Sequence, residues 1–455
     1  MSDIVDIPNK LATENIGKLI WTYSLPAITG TVVMSLYNIV DRIFIGQGVG
    51  PLAISGLALT FPFMILLMAF GMLVGAGAAT RISITLGENN QVKAEKILGN
   101  AFTLTIIISG TVVFLSYIFM HDLLRLFGGT EKTMQYAEDF MRIIIPGGIL
   151  SALNFGFNNI MRASGYPKKA MYTMIICAVI NAILAPIFIF GFHWGIQGAA
   201  WATNVSYFVG AIWVLQHFTQ SKSDIRFYKK NFRLEKDIVK SIISIGMSPF
   251  SMQLATCFVV ILVNTTLIHY GGDLAIGAFG IINSINTLVV MVIIGLNQGT
   301  QPIIGFNFGA KKYDRMFKTL KYSIYIATVI TTLGFAIGTF LPNVMASLFT
   351  RDLALQAIAA KALRISVMMF PLIGFMIVVT NFFQSIGKAK ISIFLSLTRQ
   401  FLFLIPSLLI LPPIFGITGA WAAMPVSDGL ATIVSAITIF YFVRKFKRNT
   451  IDNAL

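Results

Sequence analysis

Apolar stretches of roughly 20 residues or more alternate with short polar joints along nearly the whole chain. Twelve are read, at about 18–45, 51–80, 97–120, 134–160, 169–190, 196–218, 238–268, 274–304, 319–342, 355–384, 390–412 and 417–443. At 1.5 Å rise per residue, about 20 apolar residues cross a hydrocarbon core of about 30 Å. The joints carry helix breakers: "GQGVGP", "FGGT", "SGYPKK", "GFHWG", "HYGGD", "FLPN", "IGKAK" and "LPPIFG". The pattern predicts an all-α integral membrane protein of twelve transmembrane helices.

The pattern also repeats. "PLAISGLA" at Pro51 resembles "DLAIGAFG" at Asp273, and "RASGYPKKA" at Arg162 resembles "QSIGKAKIS" at Gln384. "WGIQGAAWATNVSY" at Trp194 resembles "FGITGAWAAMPVSD" at Phe415, while Gly77 falls over Gly299 and Gly87 over Gly309. All these matches share an offset of 221–223 residues, which chance similarities would not do. Each half holds six spans, an even number, so the two lobes are parallel and their pseudo-two-fold axis lies along the membrane normal. The expected domains are an amino-terminal six-helix lobe (1–220), a cytoplasmic linker (221–237), a carboxy-terminal six-helix lobe (238–443) and a cytoplasmic tail (444–455). The linker "SKSDIRFYKKNFRLEKD" reads as a solvated connector that helps set topology.

Composition agrees with the spans: the 455 residues are 56% hydrophobic and only 11% charged, against about 25% charged in soluble proteins. The first eighteen residues are polar and mixed in charge, so a cleaved signal peptide is not expected. The net charge of +16 would suit nucleic acid if it were clustered. Instead it lies in the joints, and all but eight of the 34 Lys and Arg fall on one side. The eight are Arg42, Arg125, Lys132, Arg142, Arg351, Lys361, Arg364 and Arg399. The positive-inside rule then places both termini in the cytoplasm of a multi-pass plasma-membrane protein, with lipids as its surroundings and no nucleic-acid partner. Cys177 and Cys257 sit inside apolar runs and suggest neither disulfide nor metal.

Of 18 acidic residues, only Asp41 and Asp428 lie well inside the spans. A carboxylate meeting lipid at a helix centre costs roughly 2.5–3.5 kcal/mol on insertion scales, so each calls for a use. Asp428 and Arg399 approach one depth from opposite sides and read as a buried ion pair. Asp41 admits two readings, a snorkelling acid paired with Arg42 or a functional acid. Residues 41 and 42 point about 100° apart on a helix, which favours the second. Tyr37 and Asn38 share its face. Asn154, Asn158, Asn181, Thr203 and Asn204 add polar groups in the same half, with interhelical hydrogen bonding as their ordinary use. No nucleophile, histidine cluster or phosphate loop stands out, so no enzyme and no metal or organic cofactor is expected.

"YNIVDRIFIG", "RASGYPKKAM", "FIFGFHWGIQGAAWAT", "GFNFGAKKYDR" and "IFGITGAW…PVSD" together resemble the multidrug and toxic compound extrusion (MATE) transporters, in the bacterial branch around DinF and MepA. The resemblance covers nearly the whole chain in matching order. It implies a monomeric, cation-driven antiporter that exports lipophilic, mostly cationic small molecules by alternating access. It also implies an amino-lobe cation site, in which Asp41, Asn181 and Thr203 take the places of the family's Asp, Asn and Thr. Tyr37, Asn38, Asn154 and Asn158 would line the substrate cavity. The family's second carboxylate is missing, because Ala185 stands where "DPLFI" would place it. With one carboxylate a proton is the expected coupling ion and sodium the alternative. A lipid-linked oligosaccharide flippase shares the architecture at superfamily level, but it should line its cavity with several cations.

Overall fold

The computed structural model describes residues 7–126, 131–221 and 223–452, some of them, Asn38, Arg42, Lys132 and Asp273 included, placed by backbone alone. Among these residues there is no strand. A short α1 (Ile7–Thr13) precedes α2 (Ile16–Gly48), α3 (Pro51–Gly87), α4 (Gln91–Ile118), α5 (Met120–Leu126), α6 (Glu131–Ile144), α7 (Gly148–Ala163), α8 (Pro167–Pro186) and α9 (Gly195–His217). The rest comprises α10 (Lys236–Gly309), α11 (Tyr313–Phe340), α12 (Pro342–Ser347), α13 (Leu353–Ser366), α14 (Phe370–Ser385), α15 (Ala389–Leu397) and α16 (Ile405–Asp452). Two π-helical segments, Ile187–Gly191 and Thr398–Leu404, follow α8 and α15.

Nine helical stretches among the described residues are long and apolar enough to span a bilayer. Two bent pairs, α6 with α7 at 59° and α13 with α14 at 55°, raise that to 11. The stretch 389–448, counted once there, turns at Gly416 (φ +59), and dividing it gives the twelve spans. Similarly, α10 breaks at Gly272 (φ +66).

The repeat extends to the backbone. Apart from His193, the left-handed residues among those described come in pairs at an offset of 221–222 residues: Gly50 with Gly272, Asn89 with Lys311, Gly165 with Gly387, and Gly195 with Gly416. The two bent pairs are related in the same way. Each bend lies at a proline, Pro146 or Pro371, which cannot donate its backbone to a continuing helix. In the first bend, Asn204 Nδ2 donates to Ile143 O at 2.5 Å and satisfies a carbonyl exposed by the break.

The chain forms two compact units. The first comprises Met1–Leu254, Ile294–Thr319 and Ser385–Ala389; the second comprises Ala255–Ile293, Leu320–Gln384 and Lys390–Leu455. One apolar cluster of the first unit gathers Ile45, Phe63, Phe140, Ala185, Ile189 and Ala199. The second unit's cluster gathers Val263, Ile282, Leu363, Val367, Phe370 and Trp421.

The segment after α9 keeps Lys229, Lys230, Arg233, Lys236 and Asp237 exposed, as a solvated connector would, and is anchored as well. It packs on α4, where Asn100 Nδ2 donates to Asn231 O (3.2 Å) and Arg233 O (3.1 Å), and Asn100 Oδ1 accepts from Glu235 N (2.7 Å). Phe227 and Phe232 enter an aromatic group with Phe102, Phe157 and Phe218. Two phenylalanines among the basic residues supply the apolar area that anchors it.

Within the first unit, the ends of α3 and α10 cross reciprocally. A Cβ on Gly87 would run into Phe306 O, and a Cβ on Gly309 into Ile84 O. Both pairs are repeat-related, and both obstacles are backbone, which cannot swing aside. Gly87→Ala or Gly309→Ala is expected to cost about 1–3 kcal/mol by overpacking. Gly110→Ala, which meets nothing within 4 Å, is expected to be neutral or to stabilise by up to ~1 kcal/mol through helix propensity. Thermal unfolding of the three purified variants checks the contrast.

Candidate functional site

In the first unit α2 packs along α8, and α8 along α9. This brings Tyr37 and Asp41, one turn apart on α2, towards Asn181 of α8 and Thr203 of α9. Thr203 is the hub. Its Oγ1 donates to Ala199 O at 3.0 Å and accepts from Asn181 Nδ2 at 3.0 Å. With its proton committed, the Tyr37 hydroxyl at 3.4 Å is left as donor to it. Asn181 is 1% exposed, and its Oδ1 is buried with no hydrogen-bond partner. An unpaired buried acceptor costs about 1–3 kcal/mol and awaits a donor or a cation.

Asp41 is half-buried and acts electrostatically on Tyr37 and on Tyr207 of α9. Tyr207 was not singled out from the sequence. Its position four residues after Thr203, on the same helix face, is the signal that would have found it. The chain therefore gathers one carboxylate, one unsatisfied amide oxygen and three hydroxyl side chains on three helices.

The remaining expected cavity residues are placed differently. Asn154 is buried and donates from Nδ2 to Cys177 Sγ at 3.3 Å, while that thiol donates to Ser206 O at 3.3 Å. Asn158 is committed elsewhere: its Nδ2 donates to Ala170 O (2.7 Å) and its Oδ1 accepts from Arg162 Nη2 (2.8 Å). The side chain of Asn38 lies outside the described residues. Arg162 itself is 2% exposed, and its side-chain partners among the described residues are neutral amides, Asn158, Asn159 and Gln298. No sequence signal set it apart from the loop cations beside it.

Ala185 is fully buried, in the apolar cluster with Ile45, Ile189 and Ala199. It shares α8 with Asn181, one turn on. The π-helical segment begins two residues later, a local widening often met at functional sites.

In the second unit Arg399 Nε donates to Asp428 Oδ1 at 2.5 Å. Their side chains differ in access: 32% exposed for Arg399 and 3% for Asp428. Thr432 Oγ1 donates to the Asp428 carbonyl at 2.7 Å.

Comparison with known proteins accords with this architecture. The MatE family model matches residues 26–187 and again 249–410, one match in each half. The solved MATE multidrug transporter DinF-BH is 36% identical, with a TM-score of 0.88 over 94% of this chain and 96% of that one. The multidrug export protein MepA of Staphylococcus aureus (strain NCTC 8325 / PS 47) is 28% identical over 437 residues, 96% of each chain. A MOP superfamily transporter from Pyrococcus furiosus shares the fold, with a TM-score of 0.91 at 24% identity over 96% of this chain and 98% of that one. Matched in both of its halves, the chain belongs to the MatE family of multidrug and toxic compound extrusion transporters.

Proposed function

We propose that this membrane transporter is a secondary-active antiporter that exports lipophilic, mostly cationic compounds in exchange for protons, with Asp41 as the coupling acid. The observation that carries the reading is the cluster around Thr203, where Asp41 is the one carboxylate offered alongside the unsatisfied Asn181 Oδ1 and the Tyr37 and Tyr207 hydroxyls. A proton needs one carboxylate. Sodium prefers several hard oxygen ligands, and an apolar side chain at position 185 removes one of them.

The exchange then follows from charge. Deprotonated Asp41 attracts a lipophilic cation, and protonation cancels that attraction. A proton and a cation each neutralise the same carboxylate, so the two occupants compete for one site. Alternating access converts this competition into export against a gradient. Relatives named as multidrug exporters support the substrate class. Ethidium, a fluorescent lipophilic cation whose quaternary nitrogen keeps its charge at every pH used, provides the test. Its affinity for the purified protein should fall by about tenfold or more, ~1.4 kcal/mol, between pH 8 and pH 5.5. A pH-independent affinity would refute competition at a shared acid.

Both termini and the segment after α9 are proposed to face the cytoplasm of the plasma membrane, from the distribution of Lys and Arg. Ser221 is exposed, and a Ser221→Cys variant should react with an impermeant thiol reagent only once the cytoplasmic side is opened. Labelling on intact cells would reverse the topology.

A further inference from the structure

Residues 294–319 come from the second half of the sequence, yet they pack inside the first compact unit. There the last part of α10 meets α2, α3 and α7 in a close seam. A Cβ on Gly295 would run into the Ile28 backbone, and one on Gly299 into the Ser24 backbone. Ser24 Oγ donates to Leu296 O at 3.3 Å, and Gln301 Nε2 donates to Thr80 Oγ1 at 2.5 Å. The groups in these contacts are neutral.

Arg162, at the end of α7, brings a charge to the same seam. It is buried, and no carboxylate among the described residues acts on it. Nη2 donates to Asn158 Oδ1 at 2.8 Å and Nη1 to Asn159 Oδ1 at 3.3 Å, but both amides belong to α7 and move with it. Across the seam, Nη1 donates to Gln298 Oε1 of α10 at 2.5 Å. Nε is buried with no acceptor. Closing the seam therefore strips a cation of its water and returns only neutral acceptors, which leaves a buried charge undercompensated. The repeat shows that this arrangement is particular to one side. Arg162 corresponds to Gln384 and Gln298 to Ala76, a pair without charge.

We propose that Arg162 and Gln298 are the latch of a cytoplasmic gate. Their hydrogen bond ties α7 to α10, and the unbalanced charge of Arg162 keeps the tie weak enough to release in every cycle. The joints at 81–96, 162–169 and 311–321, which end α3, α7 and α10, lie on the basic side of the chain. Loading from the cytoplasm thus requires this seam to part. When it parts, Gln298 leaves with α10 and the guanidinium regains water, so hydration offsets the bond that is lost. The inference rests on the transporter reading and its topology, but not on Asp41.

The test uses the full chain in nanodiscs with a reporter thiol in the seam. Ser83 of α3 is buried against Gly305 of α10, so Ser83→Cys should react with N-ethylmaleimide only while the seam is open. The chain without that change gives the background from Cys177 and Cys257. Gln298→Glu sets a carboxylate opposite Arg162 in the closed seam. It should slow labelling at least tenfold and cut ethidium turnover in proteoliposomes, at saturating ethidium, by a similar factor. Gln298→Met keeps the length but removes the acceptor, and should quicken labelling severalfold. Arg162→Gln closes the seam without burying a charge, and should slow labelling. In that background the Gln298→Glu carboxylate has no cation to meet, so adding it should quicken labelling instead. Melting temperatures check folding, and Gln298→Met and Arg162→Gln carry the test if Gln298→Glu does not fold. A contact that serves packing alone would give Gln298→Glu the same effect with or without Arg162. That result overturns the proposal, and so does labelling of Gln298→Met at or below the wild-type rate. The pH dependence of ethidium affinity, which reads Asp41, should be the same in Gln298→Glu as in wild type. Failure of the coupling reading is therefore distinguishable from failure of the latch.

Discussion

Asp41→Asn is expected to reduce gradient-driven export of a lipophilic cation to the level of empty vesicles, while folded yield and melting temperature stay near wild type. Asn matches the shape of Asp but neither titrates nor carries charge, so the helix face of Tyr37 and the packing of α2 on α8 persist. The Thr203 hub is unaffected, because its partners are Ala199 O, Asn181 and Tyr37. What disappears is the exchange between proton and cation. Equilibration of substrate down its own gradient can survive, because removing the titrating group uncouples the two fluxes rather than closing the path. Uphill export in Asp41→Asn equal to wild type would mean that ions couple elsewhere, with Asp428 the next acid to test.

Ala185→Asp is expected to have the second large effect. The substitution restores the family's missing carboxylate one turn from Asn181, but it does so in a fully buried apolar cluster beside Ile45, Ile189 and Ala199. A carboxylate there loses its hydration and repels Asp41 when both are charged. In sodium-free buffer the variant should melt well below wild type. A cation shared by the two acids relieves both penalties, so sodium should raise its melting temperature in a concentration-dependent way. Ligand at 100 times its Kd stabilises by about 2.7 kcal/mol. Wild type should show no such shift. A sodium-stabilised wild type, or an Ala185→Asp variant indifferent to sodium, would contradict the single-carboxylate account.

Much of this was readable from the chain because a bilayer is a demanding solvent. Every backbone polar group within it must be paired internally, so long apolar runs have few alternatives to helix. The repeat was equally legible, since a left-handed turn at Gly50 or Gly165 constrains the sequence in both halves alike. Three things were not. The run 134–160 reads as one span, yet it bends by 59° at Pro146, and the matching run 355–384 hides a bend at Pro371. The basic character of 221–237 masked Phe227 and Phe232, whose packing on α4 anchors the segment while nearby lysines stay in water. The polar residues of the first half could be assigned to one lobe but not sorted. Asn181 and Asn158 look alike in sequence, and only the packing of α8 on α9 shows one joined to Thr203 while the other holds Arg162. Tyr207 reads as an ordinary aromatic until the fold brings it into electrostatic reach of Asp41.

Substrate-driven proton movement tests the central claim most directly. Proteoliposomes carrying the purified protein and a trapped pH-sensitive dye, in sodium-free buffer with the membrane potential clamped, receive a pulse of ethidium on one side. Proton-coupled exchange through Asp41 predicts an immediate pH change inside the vesicles, in the sense of protons moving opposite to the ethidium. The change should saturate with ethidium and be absent in Asp41→Asn. Robust ethidium transport that needs sodium and moves no protons, or an undiminished proton signal in Asp41→Asn, would contradict the account.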